Sequence, residues 1–410
     1  MTTISKLIFI MAAKNNNAKI IQDYISTGAY INVKDEEGEG ETALHWASYK
    51  GHTECVRLLI DAGADLNVKN KHGHTALHWT SWNGKTDCVS VLIEAGADLN
   101  VQGKMGYTAL HCASRQDKTE SVKLLIEAGA DLTLQDKWDR TALHWASRQG
   151  KTESVKLLIE AGADLTVQGK WGYTALHWTS QQGKTECVQL LIGAGVDLTV
   201  QDKDDWTALH WASQQGKTEC VELLIEAGAD LNVQGKMGYT ALHCASQQGQ
   251  AECVKFLIGA GADLTVQDEW GLTPLDRASR RGKTVSVKLL IEAGADLNVQ
   301  NKNGYTALHW ASENGHAECV KLLIGAGSDL NVQDKNSYTA LHWASDNRHS
   351  ECVNLILGSI ATKIQSVMRM HLKRINYLEI LSLKPDGDGY QKARKEFESL
   401  KKDKNSNCLL

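Results

Sequence analysis

Apolar positions along this chain alternate between two short helical patterns and one extended stretch. In residues 207–238, Ala208-Leu209-His210-Trp211-Ala212-Ser213 reads as a first helix, with Thr207 offering an N-cap hydroxyl and Gly216 stopping it. A second helix runs from about Thr218, with Cys220, Val221, Leu223, Leu224 and Ile225 at helical spacing, and closes at Gly228, where a left-handed cap favours glycine. The segment from Ala229 to Gly238 then reads as extended and turning, and delivers the chain to the next threonine. This block recurs. Thr-Ala-Leu-His begins at Thr42, Thr75, Thr108, Thr141, Thr174, Thr207, Thr240, Thr306 and Thr339, a period of 33 residues, and Thr273-Pro274-Leu275-Asp276 keeps the register with altered chemistry. A period of that length predicts a solenoid, in which each unit buries its apolar face only by stacking on its neighbours.

T-x-L-H-x-A followed by L-L-I-x-A-G-A-D-L-N-V closely resembles the ankyrin repeat, over roughly residues 5–357. The resemblance implies an all-α solenoid of helix-turn-helix units with projecting β-turn fingers. Ten tandem repeats, anchored at Thr42 to Thr339, would occupy 35–357. Residues 1–34 carry the second helix and turn but no T-x-L-H, which suits a degenerate N-terminal cap; Leu7 to Ala13 also meets the lower limit of a signal-peptide core.

Comparison among the repeats separates framework from variable positions, and variable exposed sites are where a solenoid can encode partner choice. The first variable set lies at the fingertips. It includes Met105, Tyr107, Trp138, Arg140, Trp171, Tyr173, Trp206, Met237, Tyr239 and Trp270. Aromatic and methionine side chains on turns suit an interface core, while the bland alternative is that each tip packs on the next. The second set closes the first helix, and in ankyrin proteins this strip lines the concave face. Here it is glutamine-rich in the middle, basic at Arg148, Arg280 and Arg281, and acidic toward Glu313 and Asp346. The tryptophans that follow the repeat histidine read as core or half-core. At Thr273 the pattern breaks, with Asp276 and Arg277 in place of His and Trp, and Arg277 is the partner nearest in sequence for a buried Asp276.

Charge and candidate chemistry narrow the function. The net charge is −5, and residues 361–410 hold 11 Lys/Arg against 6 Asp/Glu, which leaves about −10 on residues 1–360 and disfavours a nucleic-acid partner. Seven of the ten cysteines share one second-helix position where serine stands in other repeats. That points to small-residue packing and free thiols, hence a cytoplasmic protein, with nuclear or cytoskeletal association also open. The repeat histidines are too far apart to share a metal, and the recurrent Gly-Lys-Thr lacks the upstream glycine of a phosphate loop. Asp386-Gly387-Asp388-Gly389 starts like a calcium loop but meets Gln391 and Phe397 at its sixth and twelfth places. No enzyme, cofactor or membrane span is expected.

Beyond the repeats, Ile364, Gln365, Arg369, Arg374 and Tyr377 resemble the IQ motif, with Met370 where the motif has glycine. Ile364, Met368, Leu372 and Ile375 form one stripe of a basic amphipathic helix over 358–383, suited to an acidic, methionine-lined groove. The resemblance implies calmodulin or a related light chain, as in inversin-like scaffolds. The same stripe would equally serve as a solenoid cap. Residues 384–410 read as a charged, flexible tail. The expected function is a non-enzymatic scaffold or adaptor that holds client proteins on fingertips and concave face. The alternative is a plain adaptor such as a ubiquitin-ligase substrate receptor, with the last helix acting as a cap. Family resemblance also marks the Asn of D-L-N-V, as at Asn67 and Asn232, as a hydroxylation candidate.

Overall fold

The computed structural model describes residues 5–381 and Lys395. The described residues form 22 helices and no strand, the all-α, helix-turn-helix architecture the periodicity predicts. They divide into two compact units, one holding residues up to 278 with 283–295, the other residues 279–282 and those from 296 onward.

In the first unit, first helices pack on first helices and second on second. Ala142–Gln149 lies between Ala109–Arg115 and Ala175–Gln182, and Thr152–Glu160 lies between Thr119–Glu127 and Thr185–Gly193. The layers bury the same positions in every repeat. Leu143, Val155 and Leu158 are at most 2% exposed, and each such side chain contributes roughly 1.5–3 kcal/mol. Lys6–Lys14 and Ala18–Ser26 form the opening pair. The segment that also met the signal-core pattern is thus a helix packed on Ala43–Lys50, with Phe9 and Ala13 fully buried.

The first helices that follow Thr-Ala-Leu-His start in a capping box whose third residue is histidine. At Thr42 the backbone N–H donates to His45 Nδ1 (3.1 Å), and His45 N–H donates back to Thr42 Oγ1 (3.4 Å). With Nδ1 an acceptor, Nε2 carries the proton and donates to the His74 carbonyl of the next repeat (3.0 Å). His78, His111, His144, His177 and His210 repeat this bridge at 2.9–3.1 Å. Burial pushes His45, His78, His144 and His243 down to about 4, so the ring holds two turns together as a neutral group.

In the second unit, Ala307–Glu313 packs on Ala340–Asp346, and Ala317–Gly325 packs on the terminal helix Ser350–Leu381. That helix differs from the sequence reading, which closed it near Leu357. Its first turns bury Cys352 and Ile356, but the Ala-Gly-Ala-Asp turn that ends other second helices is absent, so it continues unbroken to Leu381. The tail assigned to 384–410, with its calcium-loop mimic and Cys408, lies outside the described residues apart from Lys395. All nine described cysteines are free and buried.

Candidate interaction surface

The fingers are built by short backbone links. Gly169 N–H donates to the Tyr173 carbonyl (2.9 Å) to close one finger, and Lys170 N–H donates to the Trp138 carbonyl (2.9 Å) to fix it to the preceding tip. Gly172 holds φ +80°, and a Cβ there would stand 2.8 Å from Asp202 Cα, which leaves glycine little competition. Asp139 and Asp205 take the same left-handed conformation with short polar side chains.

This geometry splits the predicted fingertip residues into two classes. Met105, Trp171, Met237 and Trp270 stand at the tip and are 41–49% exposed, and Trp138 is half-buried. Tyr107, Tyr173, Trp206 and Tyr239 turn inward instead and are half-buried. Tyr173 stacks on His177, with centroids 5.8 Å apart, and meets Trp178 and Trp211 edge-on at 4.8 and 5.3 Å. Trp206 stacks on His210 and tilts against Trp211 in the same way. These rings cover the histidine bridge.

Arg140 is likewise part of the framework and not of the free surface. Only 5% exposed, it pairs through Nε and a terminal nitrogen with Asp136 Oδ2 at 3.1 and 2.9 Å, with its guanidinium over Trp138 and Trp145. Asp136 explains why: its Oδ1 accepts from the N–H groups of Trp138 and Arg140, and Oδ2 also takes the Trp145 indole N–H (2.9 Å). Arg148 is half-buried, its guanidinium carbon over the Trp178 ring at 4.8 Å. Arg280 and Arg281 are exposed, Arg280 lying 4.7 Å from the Trp310 ring. Among the repeat tryptophans, Trp145 and Trp178 are buried and Trp46, Trp79, Trp211, Trp310 and Trp343 are half-buried.

The outlier repeat corrects one pairing. Asp276 accepts from both N–H and Oγ1 of Thr273 at 2.8 Å, while Arg277 reaches Asp268. Asp276 is a buried capping-box acid that needs no arginine, because its carboxylate replaces the histidine Nδ1.

On the terminal helix, residues 361–372 are exposed throughout. Ile364, Met368, Met370 and Leu372 stand at 54–60% exposure, with Gln365 and Arg369 beside them. The helix includes Arg374 and Tyr377, whose side chains lie outside the described residues. No cluster of three or more His, Cys, Asp or Glu that could hold a metal occurs among the described residues, and no described helix is long and apolar enough to cross a membrane.

One place was missed by the sequence reading, a cavity around Glu41 on the first-helix face. Its signal was available: Glu41 occupies the position where most other repeats carry an aromatic ring.

A family model described as "Ankyrin repeats (3 copies)" matches residues 9–103, 96–169, 143–235, 176–268, 227–301 and 275–366, so its matches run almost without interruption through the repeats. Among curated relatives, ankyrin repeat domain-containing protein 29 of Danio rerio is 39% identical over 70 residues, 17% of this chain and 23% of the relative. The Notch-regulated ankyrin repeat-containing protein of Xenopus tropicalis is 35% identical over 72 residues, 17% of this chain and 63% of the relative. The human protein of that name is 36% identical over 66 residues, 16% and 58% of the two chains. The matched segments thus span less than two thirds of these relatives.

Proposed function

The chain belongs to the ankyrin-repeat family, and from that premise we propose that it is a protein-binding scaffold whose terminal helix recruits calmodulin or a related acidic light chain. Ankyrin repeats are interaction modules, so the partners of the array are proteins. In the first unit client proteins engage the tip residues Met105, Trp138, Trp171, Met237 and Trp270 with Arg148; in the second they engage Arg280 and Arg281. Large apolar tips that stay 41–49% exposed at Met105, Trp171, Met237 and Trp270 favour such contacts.

The calmodulin reading rests on one observation. Beyond Ile356 the terminal helix carries Ile364, Met368 and Leu372 more than half exposed, and no acidic residue interrupts the stretch between Glu351 and Glu379. An apolar stripe flanked by Lys363, Arg369, Lys373 and Arg374 suits an acidic groove lined with methionine. Exposure of Ile364, Met368 and Leu372 favours this reading over a cap.

Calorimetric titration of calmodulin, with calcium and with chelator, into the full chain tests this. Saturable binding abolished by Ile364→Glu with Arg369→Glu supports the reading, and absence of binding under both conditions refutes it.

A further inference from the structure

Neighbouring repeats meet through two unlike faces of the first helix. In Ala307–Glu313 the side chains of Leu308, His309 and Ser312 are buried, whereas in Ala340–Asp346 the corresponding Leu341 is half-buried and His342 and Ser345 are exposed. Ala340 and Ala344 stay buried in that last first helix. Leucine, histidine and serine therefore face the following repeat and the alanines the preceding one, so the last repeat presents a following face that is uncovered among the described residues.

The finger agrees. Tyr305 lies 5.4 Å from Trp343 of the following repeat and is 8% exposed, while Tyr338, which no following tryptophan covers, is 39% exposed. His309 Nε2 donates to the Tyr338 carbonyl (3.2 Å). His342 keeps its Thr339 contacts through Nδ1, but among the described residues its Nε2 reaches no such carbonyl.

The first repeat presents the opposite face. Asn16 takes the positive φ of Gly51, and Asn17 N–H donates to the Ala12 carbonyl as His52 N–H does to that of Ala47, so residue 16 of the first repeat corresponds to 51 of the second. By that register Phe9, Ile10 and Ala13 stand at the positions of Leu44, His45 and Ser48, and all three are buried. Ile8 and Met11 stand at the positions of Ala43 and Trp46, on the preceding side, and with Leu7 they are 42–64% exposed. Bulky apolar groups in water at that place mark a contact surface.

We propose that the Leu7, Ile8 and Met11 face of one copy docks on the Leu341, His342 and Ser345 face of a second copy, continuing between chains the contact that joins repeats within one. The shared register puts Met11 over Tyr338 of the other copy, as Trp343 covers Tyr305, and a thioether against an aromatic ring is favourable. Charge supports the pairing: residues 5–27 carry Lys6, Lys14 and Lys19 against Asp23, and residues 339–357 carry Asp346 and Glu351 against Arg348. Each copy contributes a different face, so the contact is heterologous. This goes beyond the scaffold reading and is independent of calmodulin.

The test is sedimentation velocity of the full chain over a concentration series. The natural chain should pass from single chains to larger species with a midpoint of roughly 1–100 µM, the strength of a modest interface. Ile8→Glu adds a negative charge to the preceding face, and Ser345→Lys adds a positive one to the following face. Both sites are exposed, with an acid in the first turn and a base in the last, so the helices are kept. Each variant alone should remain a single chain at concentrations about tenfold above that midpoint, equivalent to about 1.4 kcal/mol or more of lost contact. Each also keeps one intact face, so an equimolar mixture of the two should form a two-chain complex and nothing larger. A natural chain that stays single to about 1 mM would overturn the proposal and assign both faces to other segments or other partners. Association lost in only one variant would also overturn it, because that marks a face pairing with itself, as would a mixture of variants that stays single. Calmodulin titration of both variants should be unchanged, which separates failure of this contact from failure of the terminal-helix reading.

Discussion

Arg277 pairs with Asp268, nine positions earlier, and not with its chain neighbour Asp276: its Nε donates to Asp268 Oδ2 at 2.7 Å. In most other repeats the residue at that position is tryptophan, and in three of them its indole N–H reaches the same carboxylate oxygen, Trp145 to Asp136 (2.9 Å), Trp211 to Asp202 (2.8 Å) and Trp343 to Asp334 (3.0 Å). The arginine has therefore taken over the tryptophan's donor role, and it keeps the aromatic contact by lying over Tyr239 and Trp270. The apparent break in the pattern exchanges residues while preserving both hydrogen bonds.

Arg277→Ala should therefore destabilise the fold by roughly 2–4 kcal/mol, since it leaves Asp268, 5% exposed, without its charged partner while two backbone donors remain. Arg277→Trp should restore most of that loss. Urea denaturation of the two variants checks the donor argument, which fails if both lose equally.

Asp276 sets a pH dependence of its own. Burial, reinforced by the nearby Asp268, pushes its carboxyl up to about 7 against the pull of its Thr273 hydrogen bonds. A folded value above the unfolded one means that Asp276 supports the fold most below about pH 4, and that this support fades as pH rises through about 7. Asp276→Asn removes the ionisation, so its melting temperature should exceed that of the natural protein at pH 8 and approach it at pH 4. A difference that does not change with pH would show that Asp276 does not titrate in this way.

The histidine bridges act in the opposite direction. Their folded values near 4 lie below the ordinary 6.5, so their contribution is complete above about pH 6.5 and drains away as pH falls toward 4. Each such histidine represents on the order of 3 kcal/mol across that window. Urea midpoints should already fall between pH 6.5 and 5, above the range where most carboxylates titrate. A flat profile there would contradict neutral bridging rings.

Much of this was legible in the chain itself. The 33-residue register located the first helix of each repeat from Thr42 to Thr339, because Thr keeps its capping role throughout, Leu is core in all of them before the last, and His bridges in those except the one with Asp276. Fingertip exposure was less legible, since a turn residue and its neighbour two places on look alike in sequence. The structure puts Trp171 outside and Tyr173 over His177. Arg140 looked like a surface charge because its partner, Asp136, becomes buried only when the finger closes around it. The end of the last helix was misplaced for a related reason: a missing turn signal says that a helix continues, but the sequence reading closed it at the customary repeat length.

Exposure at the tips carries its own prediction. Trp171 and Met237 are each 49% exposed and belong to no hydrogen-bonded framework of the finger beyond their backbone links. Trp171→Ala and Met237→Ala should change folding stability by less than about 0.5 kcal/mol, whereas Tyr173→Ala should cost roughly 2 kcal/mol or more by uncovering His177, Trp178 and Trp211. Chemical denaturation of the three variants distinguishes recognition residues from framework, and equal losses would place Trp171 and Met237 in the framework.

The terminal helix separates stability from binding most sharply. Ile364 is 54% exposed and Met368 58%, so a charge at either position buries nothing and breaks no core contact. Ile356, one turn after Cys352, is fully buried and anchors the helix to the last repeat. Ile356→Ala should lower the unfolding midpoint, at a cost of about 2–4 kcal/mol. Ile364→Glu should leave the midpoint unchanged while removing calmodulin binding, because a carboxylate on the apolar stripe would enter an acidic groove. Thermal melts and titrations on the same preparations decide the matter: if Ile364→Glu lowers the midpoint as far as Ile356→Ala does, the exposed stripe is holding the array together, and the helix is a cap.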